Sequence, residues 1–306
     1  MSCIRVIFNP TAAGGRAARL GPALRDRLND GARNAGLELD WTETQGAEHA
    51  ITLAQEAATN GCELVVAVGG DGTVNEAVNG LMQAGVDDHA TTLGVIPTGS
   101  GNDFAWLAGI PLDPIAACQR LFDGEARAVD VGHIREAGGR ERYFDNGCGV
   151  GFDAQVGLEV RNLKWLRGFL IYLVGVLKTL ILHHQAPPLR MRLDEREITR
   201  PTMMLTIGNG SRHGGGFFVT PHAQLDDGWF DVCIAGEFSR LGMLLIIPRF
   251  IKGTHTSHHQ IEMTRARRIV VESPTPQPIH LDGEIFATDA RNFEVRIILG
   301  ALRVRV

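Results

Sequence analysis

Apolar runs and polar gaps alternate regularly as far as Ala128. Ile4–Phe8 is a short apolar run of the kind a buried strand makes, and Gly15–Asn34 then sets Leu20, Ala23, Leu24 and Leu28 on one helical face. Leu37–Thr42 reads as a second strand, and Ala47–Asn60 as a helix that Gly61 stops. Leu64–Val68, Asn75–Ala84, Leu93–Ile96 and Phe104–Ala108 continue the alternation. Strand–helix repetition of this kind builds a parallel sheet flanked by helices. Beyond Val129 the runs shorten: Val129–Arg135, Arg142–Gly147, Leu189–Leu193, Met203–Asn209, Trp229–Ala235, Arg268–Glu272, Ile279–Leu281 and Phe293–Leu299, with turn residues between them. This predicts an antiparallel sandwich or curved sheet with a helical region, Gly157–Leu182, inserted. Ser273–Pro278 reads as a stiff connector. The expected division is an α/β domain over 1–128 and a β-rich domain over 129–306, its last strand free to return to the first domain.

Three strand ends in the first part carry polar, glycine-rich loops: Asn9–Gly15, Gly69–Thr73 and Pro97–Asp103. Ligands in parallel sheets gather at the C-terminal ends of strands. In Gly69-Gly70-Asp71-Gly72-Thr73, missing side chains let backbone N–H groups line an anion-sized hollow, and the helix expected from Val74 to Leu81 points its N-terminus there. Asp71 inside a phosphate cradle is repelled unless a cation stands between, so phosphate with Mg²⁺ resolves the pattern. A plain tight turn is the alternative. Asn9 and Thr11 offer contacts to phosphate or ribose, or mark a bare strand–helix turn. Ser100 suits a hydrogen bond to a nucleotide, and Asn102 and Asp103 either bind or cap the next helix. Thr44 alone reads as a helix-start residue.

Hydrophobic residues make up 44% of the 306, enough for an ordinary core, and the net charge of −5 argues against a nucleic-acid binder working by bulk positive charge. Five scattered cysteines without a C-x-x-C pair predict buried free thiols in a reducing cytoplasm. The first residues lack the pattern of a signal peptide. Residues 163–182 are apolar, but Lys164, Arg167 and Lys178 interrupt them and Gly168–Leu177 is too short to span a bilayer. An amphipathic helix is expected, packed on its own domain or lying on a membrane surface with Trp165, Phe169 and Tyr172. His183-His184, His258-His259, His213, His222, His255 and His280 show no zinc spacing and read as surface or loop residues.

Asn9-Pro10, Gly69-Gly70-Asp71-Gly72-Thr73 with Asn75-Glu76, and Pro97-Thr98-Gly99-Ser100-Gly101-Asn102-Asp103, in this order, resemble the diacylglycerol kinase catalytic domain family, in its compact bacterial lipid-kinase form. Phe144–Asp153, Gly208-Asn209-Gly210, Asp227-Gly228 and Asp282-Gly283-Glu284 extend the resemblance through the second half. It implies an N-terminal nucleotide-binding α/β domain of NAD kinase/diacylglycerol kinase type and a C-terminal antiparallel β-sandwich for the lipid. It also implies ATP and Mg²⁺ as cofactors. The matching nucleotide positions are Asn9, Pro10, Thr11, Ala12, Ala13, Thr44, Gly70, Asp71, Gly72, Thr73, Val74, Asn75, Glu76 and Ser100. Glu284 matches the base that deprotonates the lipid hydroxyl, with Asp71 and Asp282 placing Mg²⁺ or phosphates. Asp227, with the carbonyls of Gln224 and Trp229, matches a second, structural Mg²⁺ loop; an Asp-Gly turn is the other reading. The expectation is a cytoplasmic kinase that visits the inner membrane face transiently and phosphorylates diacylglycerol. A sphingoid base or another small alcohol, and a non-catalytic nucleotide- or lipid-binding regulator, stay open. So does the choice between monomer and homodimer.

Overall fold

Three apolar runs of the first part of the chain become neighbouring strands. The structure, a computed structural model, describes residues 3–85, 91–160 and 169–306, without the side chains of Phe169 and Tyr172. The chain divides into two units, Met1–Val129 with Gly300–Val306 and Asp130–Leu299. In the first unit, β1 (Cys3–Phe8), β2 (Glu38–Glu43), β3 (Leu64–Gly69) and β4 (Thr92–Pro97) are all parallel, in the order β2–β1–β3–β4. Every residue of β3 and β4 is buried, as in strands covered on both faces. The end of β14 (Glu284–Arg305) pairs parallel to β4 through Arg303 and Val304.

A short turn, α1 (Ala12–Gly15), precedes α2 (Ala17–Asn34); α3 (His49–Thr59), α4 (Asp71–Gln83), α5 (Asp103–Leu107) and α6 (Pro114–Asp123) follow. The pattern had not predicted α6, although its start is written locally. Asp113 accepts from the amides of Ile115 and Ala116, and Pro114 takes the first helical position. The chain runs from β1 to β2 on one side and returns to β3 on the other. The ends of β1 and β3 therefore flank a topological switch point, where such sheets bind ligands.

The cysteine expectation is corrected. Cys3 and Cys62 form a disulfide, with Cα atoms 4.8 Å apart, while Cys118, Cys148 and Cys233 are buried free thiols. The parallel register that puts Ile4 beside Leu64 brings the two together, which no local spacing announces.

The second unit is antiparallel. β12 (Ile261–Ala266), β11 (Phe230–Ala235), β10 (Met204–Gly208), β7 (Gly147–Gly151), β13 (Arg268–Leu281) and β14 lie in that order. The β8 (Pro188–Leu193)–β9 (Arg196–Pro201) hairpin pairs with β13, and β5 (Ala126–Glu136) pairs with β14 and β6 (Glu141–Phe144). One core gathers Phe144, Val150, Met191, Leu205, Phe230 and Val295. A second lies under three helices, α7 (Phe152–Val160), α8 (Phe169–Leu182) and α9 (Arg240–Lys252), around Phe152, Leu180, Phe238, Met243 and Phe250.

Two expectations change here. Ser273–Pro278 is not a connector but the irregular middle of β13, where the register shifts between Glu272 and Gln277. Pro274 and Pro276 cannot donate to a ladder, so the strand bulges there. The single strand expected over Arg142–Gly147 is two, split at Asp145-Asn146. Among the described residues, no helix is long and apolar enough to cross a membrane.

Candidate active site

β3 runs into Gly70, whose extended backbone caps α4. The helix starts at Asp71, not Val74, so Asp71, Gly72 and Thr73 form its first turn. Thr73 N donates back to Gly70 O (2.9 Å), so Asp71 and Gly72 lead the helix, whose positive end favours an anion. The same start turns Val74 and Asn75 inward: both are buried, and Asn75 accepts from the Asn79 amide. At these two sequence-expected nucleotide positions the side chains are therefore buried. Glu76 also has a structural task, its carboxylate accepting from the N–H groups of Glu48 (2.9 Å) and Ala50 (3.2 Å) at the start of α3.

The three loops are tied together. Asn9 donates from its side chain to Thr73 Oγ1 (2.9 Å) and from its backbone to Val68 O (2.9 Å). Asn9 Oδ1 also accepts from Thr11 N and Oγ1, closing the loop on itself. Beyond it Ala13, Gly14 and Gly15 all have positive φ (51°, 68° and 85°), a run costly for alanine and often found where backbone amides face a ligand. Asp71 Oδ1 accepts from Phe104 N (3.2 Å), joining the second loop to the third. Asn102 closes the third loop through Gly99, with bonds of 3.0 and 3.2 Å, so it is a loop-former. Ser100 is exposed, and Thr44 N donates to Phe8 O at the end of β1.

Gly70 and Gly99 touch backbone to backbone. A Cβ on Gly99 would lie 2.5 Å from Gly70 Cα and 2.8 Å from Asn102 Oδ1. Gly99→Ala should therefore push the two loops apart, costing about 1–3 kcal/mol of stability and roughly ten-fold or more in nucleotide affinity. Titration with a fluorescent ATP analogue checks this; Gly46→Ala, where a Cβ meets nothing within 4 Å, should bind like the parent.

In the second unit, Asp282 (φ 49°) and Gly283 (φ 86°) make a two-residue turn between β13 and β14, with Leu281 paired to Glu284. Glu284 is exposed at its end. The Asp282 carboxylate turns back and accepts from three backbone amides, Asp145 (3.0 Å), Asn146 (3.0 Å) and Gly147 (2.7 Å). This is what splits β6 from β7. Asp282 thus acts here as the anchor of the Glu284 turn.

Behind the turn lies a buried His280–Asp153 contact that spacing did not indicate. His280 Nε2 stands 3.4 Å from Asp153 Oδ1, Asp153 Oδ2 accepts from Thr206 Oγ1 (2.8 Å), and Gly283 N donates to His280 Nδ1 (3.3 Å). Burial opposes charge on both, but the partner's charge prevails: the Asp153 pKa falls to about 2 and that of His280 rises. The one trace in the sequence is the glycine alternation of β7. A Cβ at Gly149 would come within 2.2 Å of His280 Nε2, and one at Gly147 within 2.5 Å of His213. His213, His255 and His280 are buried, which corrects the surface part of their surface-or-loop reading; His213 and His255 do lie in loop segments, and His280 lies in β13. Each ring finds a polar partner: Thr220 for His213, the Val219 carbonyl for His255 and Asp153 for His280.

Asp227 Oδ1 accepts from Trp229 N (3.0 Å), its other oxygen pairs with Arg265, and Asp130 holds Gly228 N (2.7 Å). An oxygen donor set from Asp227 and the carbonyls of Gln224 and Trp229 fits a hard divalent cation in ligand type. Such a cation would share the Asp227 carboxylate with the Arg265 guanidinium.

The comparisons with known proteins agree in kind. The model of the diacylglycerol kinase catalytic domain matches residues 3–134, and that of the YegS C-terminal NAD kinase beta sandwich-like domain matches 147–306. The chain is 30% identical to a diacylglycerol kinase of Mycobacterium tuberculosis over 92% of its own length and 88% of the relative's. It is 33% identical to a probable YegS-like lipid kinase of Chromohalobacter salexigens, over 94% of this chain and 89% of that one. A crystal structure of a putative diacylglycerol kinase from Bacillus anthracis str. Sterne superposes with a TM-score of 0.80 at 22% identity, covering 99% of this chain and 97% of the other.

Proposed function

The chain belongs to the diacylglycerol kinase catalytic domain family of lipid kinases, and from that membership we propose that it transfers the γ-phosphate of ATP to a hydroxyl of a membrane lipid, converting diacylglycerol to phosphatidic acid. The observation that carries this is the joining of the three glycine-rich loops at the switch point through the Asn9–Thr73 and Asp71–Phe104 hydrogen bonds and the close backbone approach of Gly70 and Gly99. In this reading the polyphosphate rests at the N-terminus of α4 and on the Asn9–Ala13 loop, with Thr44 and Ser100 contributing to nucleotide binding. Asp71 stands where a carboxylate would hold nucleotide-bound Mg²⁺, which supplies charge neutralisation on the phosphates. Glu284 takes the proton of the attacking hydroxyl, and Asp282 fixes the turn that carries it. Gln224, Asp227 and Trp229 would hold a structural Mg²⁺. The enzyme works at the cytoplasmic membrane face, and among the described residues no helix is long and apolar enough to cross it.

Incubation with labelled ATP and a panel of diacylglycerol, a sphingoid base and NAD tests the reading. Label is expected in phosphatidic acid. Label confined to the sphingoid base or to NAD would replace the acceptor, and no transfer to any would overturn the assignment.

A further inference from the structure

The outer face of α9 has the wrong polarity for water. Its inner face, Met243, Ile246, Ile247 and Phe250, is buried as a surface helix requires. The opposite stripe carries Leu241, Leu244 and Leu245, which are 66%, 42% and 69% exposed. Polar residues belong on such a face. The C-terminus of α8 abuts the start of α9, with Arg240 Nη2 3.3 Å from Ile181 O, and there Ile181 and Leu182 are 67% and 57% exposed. Five aliphatic side chains thus stand in solvent where two helices meet. Contiguous apolar exposure of this kind marks an interaction surface.

We propose that this α8–α9 face is where the enzyme enters the surface of an anionic membrane. Charge selects that occupant. The chain carries a net charge of −5, yet α9 contains Arg240, Arg249 and Lys252 and no acidic residue. Arg249 and Lys252 continue the leucine stripe along the exposed side. Aliphatic chains flanked by cations, without aromatic or hydrogen-bonding groups in the stripe, match an acyl–headgroup boundary. Lys178, which the sequence offers as a membrane cation, is committed elsewhere: it pairs with Glu159 of α7 at 2.6 Å.

The face is also joined to the proposed acceptor side, and in this the inference rests on the lipid-kinase reading. α8 packs on α7, where a Cβ at Gly175 would lie 2.7 Å from Val160. α7 in turn leans on the Glu284 turn, with the Gly157 Cβ position 3.9 Å from Gly283 O and 3.5 Å from Ile285 Cδ1. Docking through α8–α9 would bring the Glu284 turn to the depth at which a lipid hydroxyl is presented.

Sedimentation of the full chain with phosphatidylcholine vesicles, with and without phosphatidylglycerol and with neither diacylglycerol nor ATP, tests this apart from catalysis. Binding is expected, stronger with phosphatidylglycerol. Leu241→Ser/Leu244→Ser/Leu245→Ser should lower it about 100-fold, with melting unchanged because the three side chains face solvent. Arg249→Gln/Lys252→Gln should remove most of the gain from phosphatidylglycerol, roughly ten-fold or more. Parental binding by the triple-serine variant would overturn the proposal. So would a dimer of the parent that the serines dissociate, which assigns the face to a second copy. A chain that phosphorylates diacylglycerol in detergent micelles but ignores these substitutions on vesicles keeps its function and loses the docking face.

Discussion

Glu284→Gln is expected to lower kcat on diacylglycerol by about 10²–10⁴-fold while leaving ATP affinity unchanged. The substitution keeps side-chain size and replaces a carboxylate that can accept a proton with a neutral amide that cannot. Glu284 is exposed and its pairing with Leu281 runs through the backbone, so the turn geometry persists. Nucleotide binding rests, in this reading, on the loops of the first unit, which the change does not touch. Steady-state kinetics beside calorimetric ATP titration separates the effects. A fall in kcat with unchanged affinity assigns proton removal to Glu284. An unchanged kcat removes it from the mechanism. A lost ATP affinity would place the carboxylate at the nucleotide instead.

The parts of this molecule that were legible in advance are those whose signal is local. β1, β3 and β4 are short apolar runs bounded by glycine or polar loops, and they lie where the pattern put them. The Asp282-Gly283 turn is written in the dipeptide itself. Contacts between distant residues were not legible. The Cys3–Cys62 bridge depends on strand register, and the His280–Asp153 pair on β7 leaving room with glycine. α9 escaped because Leu241, Leu244 and Leu245 fill the face that should have been polar, and without amphipathic contrast its periodicity vanishes. Val74, Asn75 and Glu76 match nucleotide positions by motif, and the pattern gave no sign of where their side chains turn. The helix start at Asp71 then fixed their orientation, two toward the core and one toward α3.

Asp282→Ala should destabilise the second unit by about 3–6 kcal/mol and lower activity through loss of fold, more than any other single substitution argued for that unit. Its carboxylate is the acceptor for the amides of Asp145, Asn146 and Gly147. Asp145 and Asn146 are 2% and 6% exposed, so water cannot easily replace it. Each buried donor left without a partner costs roughly 1–3 kcal/mol, and a charged acceptor makes the loss larger. Asp282→Asn should cost about half as much. It keeps the oxygen that serves Asn146 and Gly147, but it turns an amide donor toward the N–H of Asp145. Urea denaturation of both variants measures the sequence, alanine worse than asparagine. The same pair decides between anchor and metal ligand. An anchor gives this graded loss of stability with an unshifted Mg²⁺ requirement in whatever activity remains. A metal ligand gives stability near that of the parent and a Mg²⁺ dependence displaced to higher concentration. The three amides already gathered on the carboxylate favour the anchor.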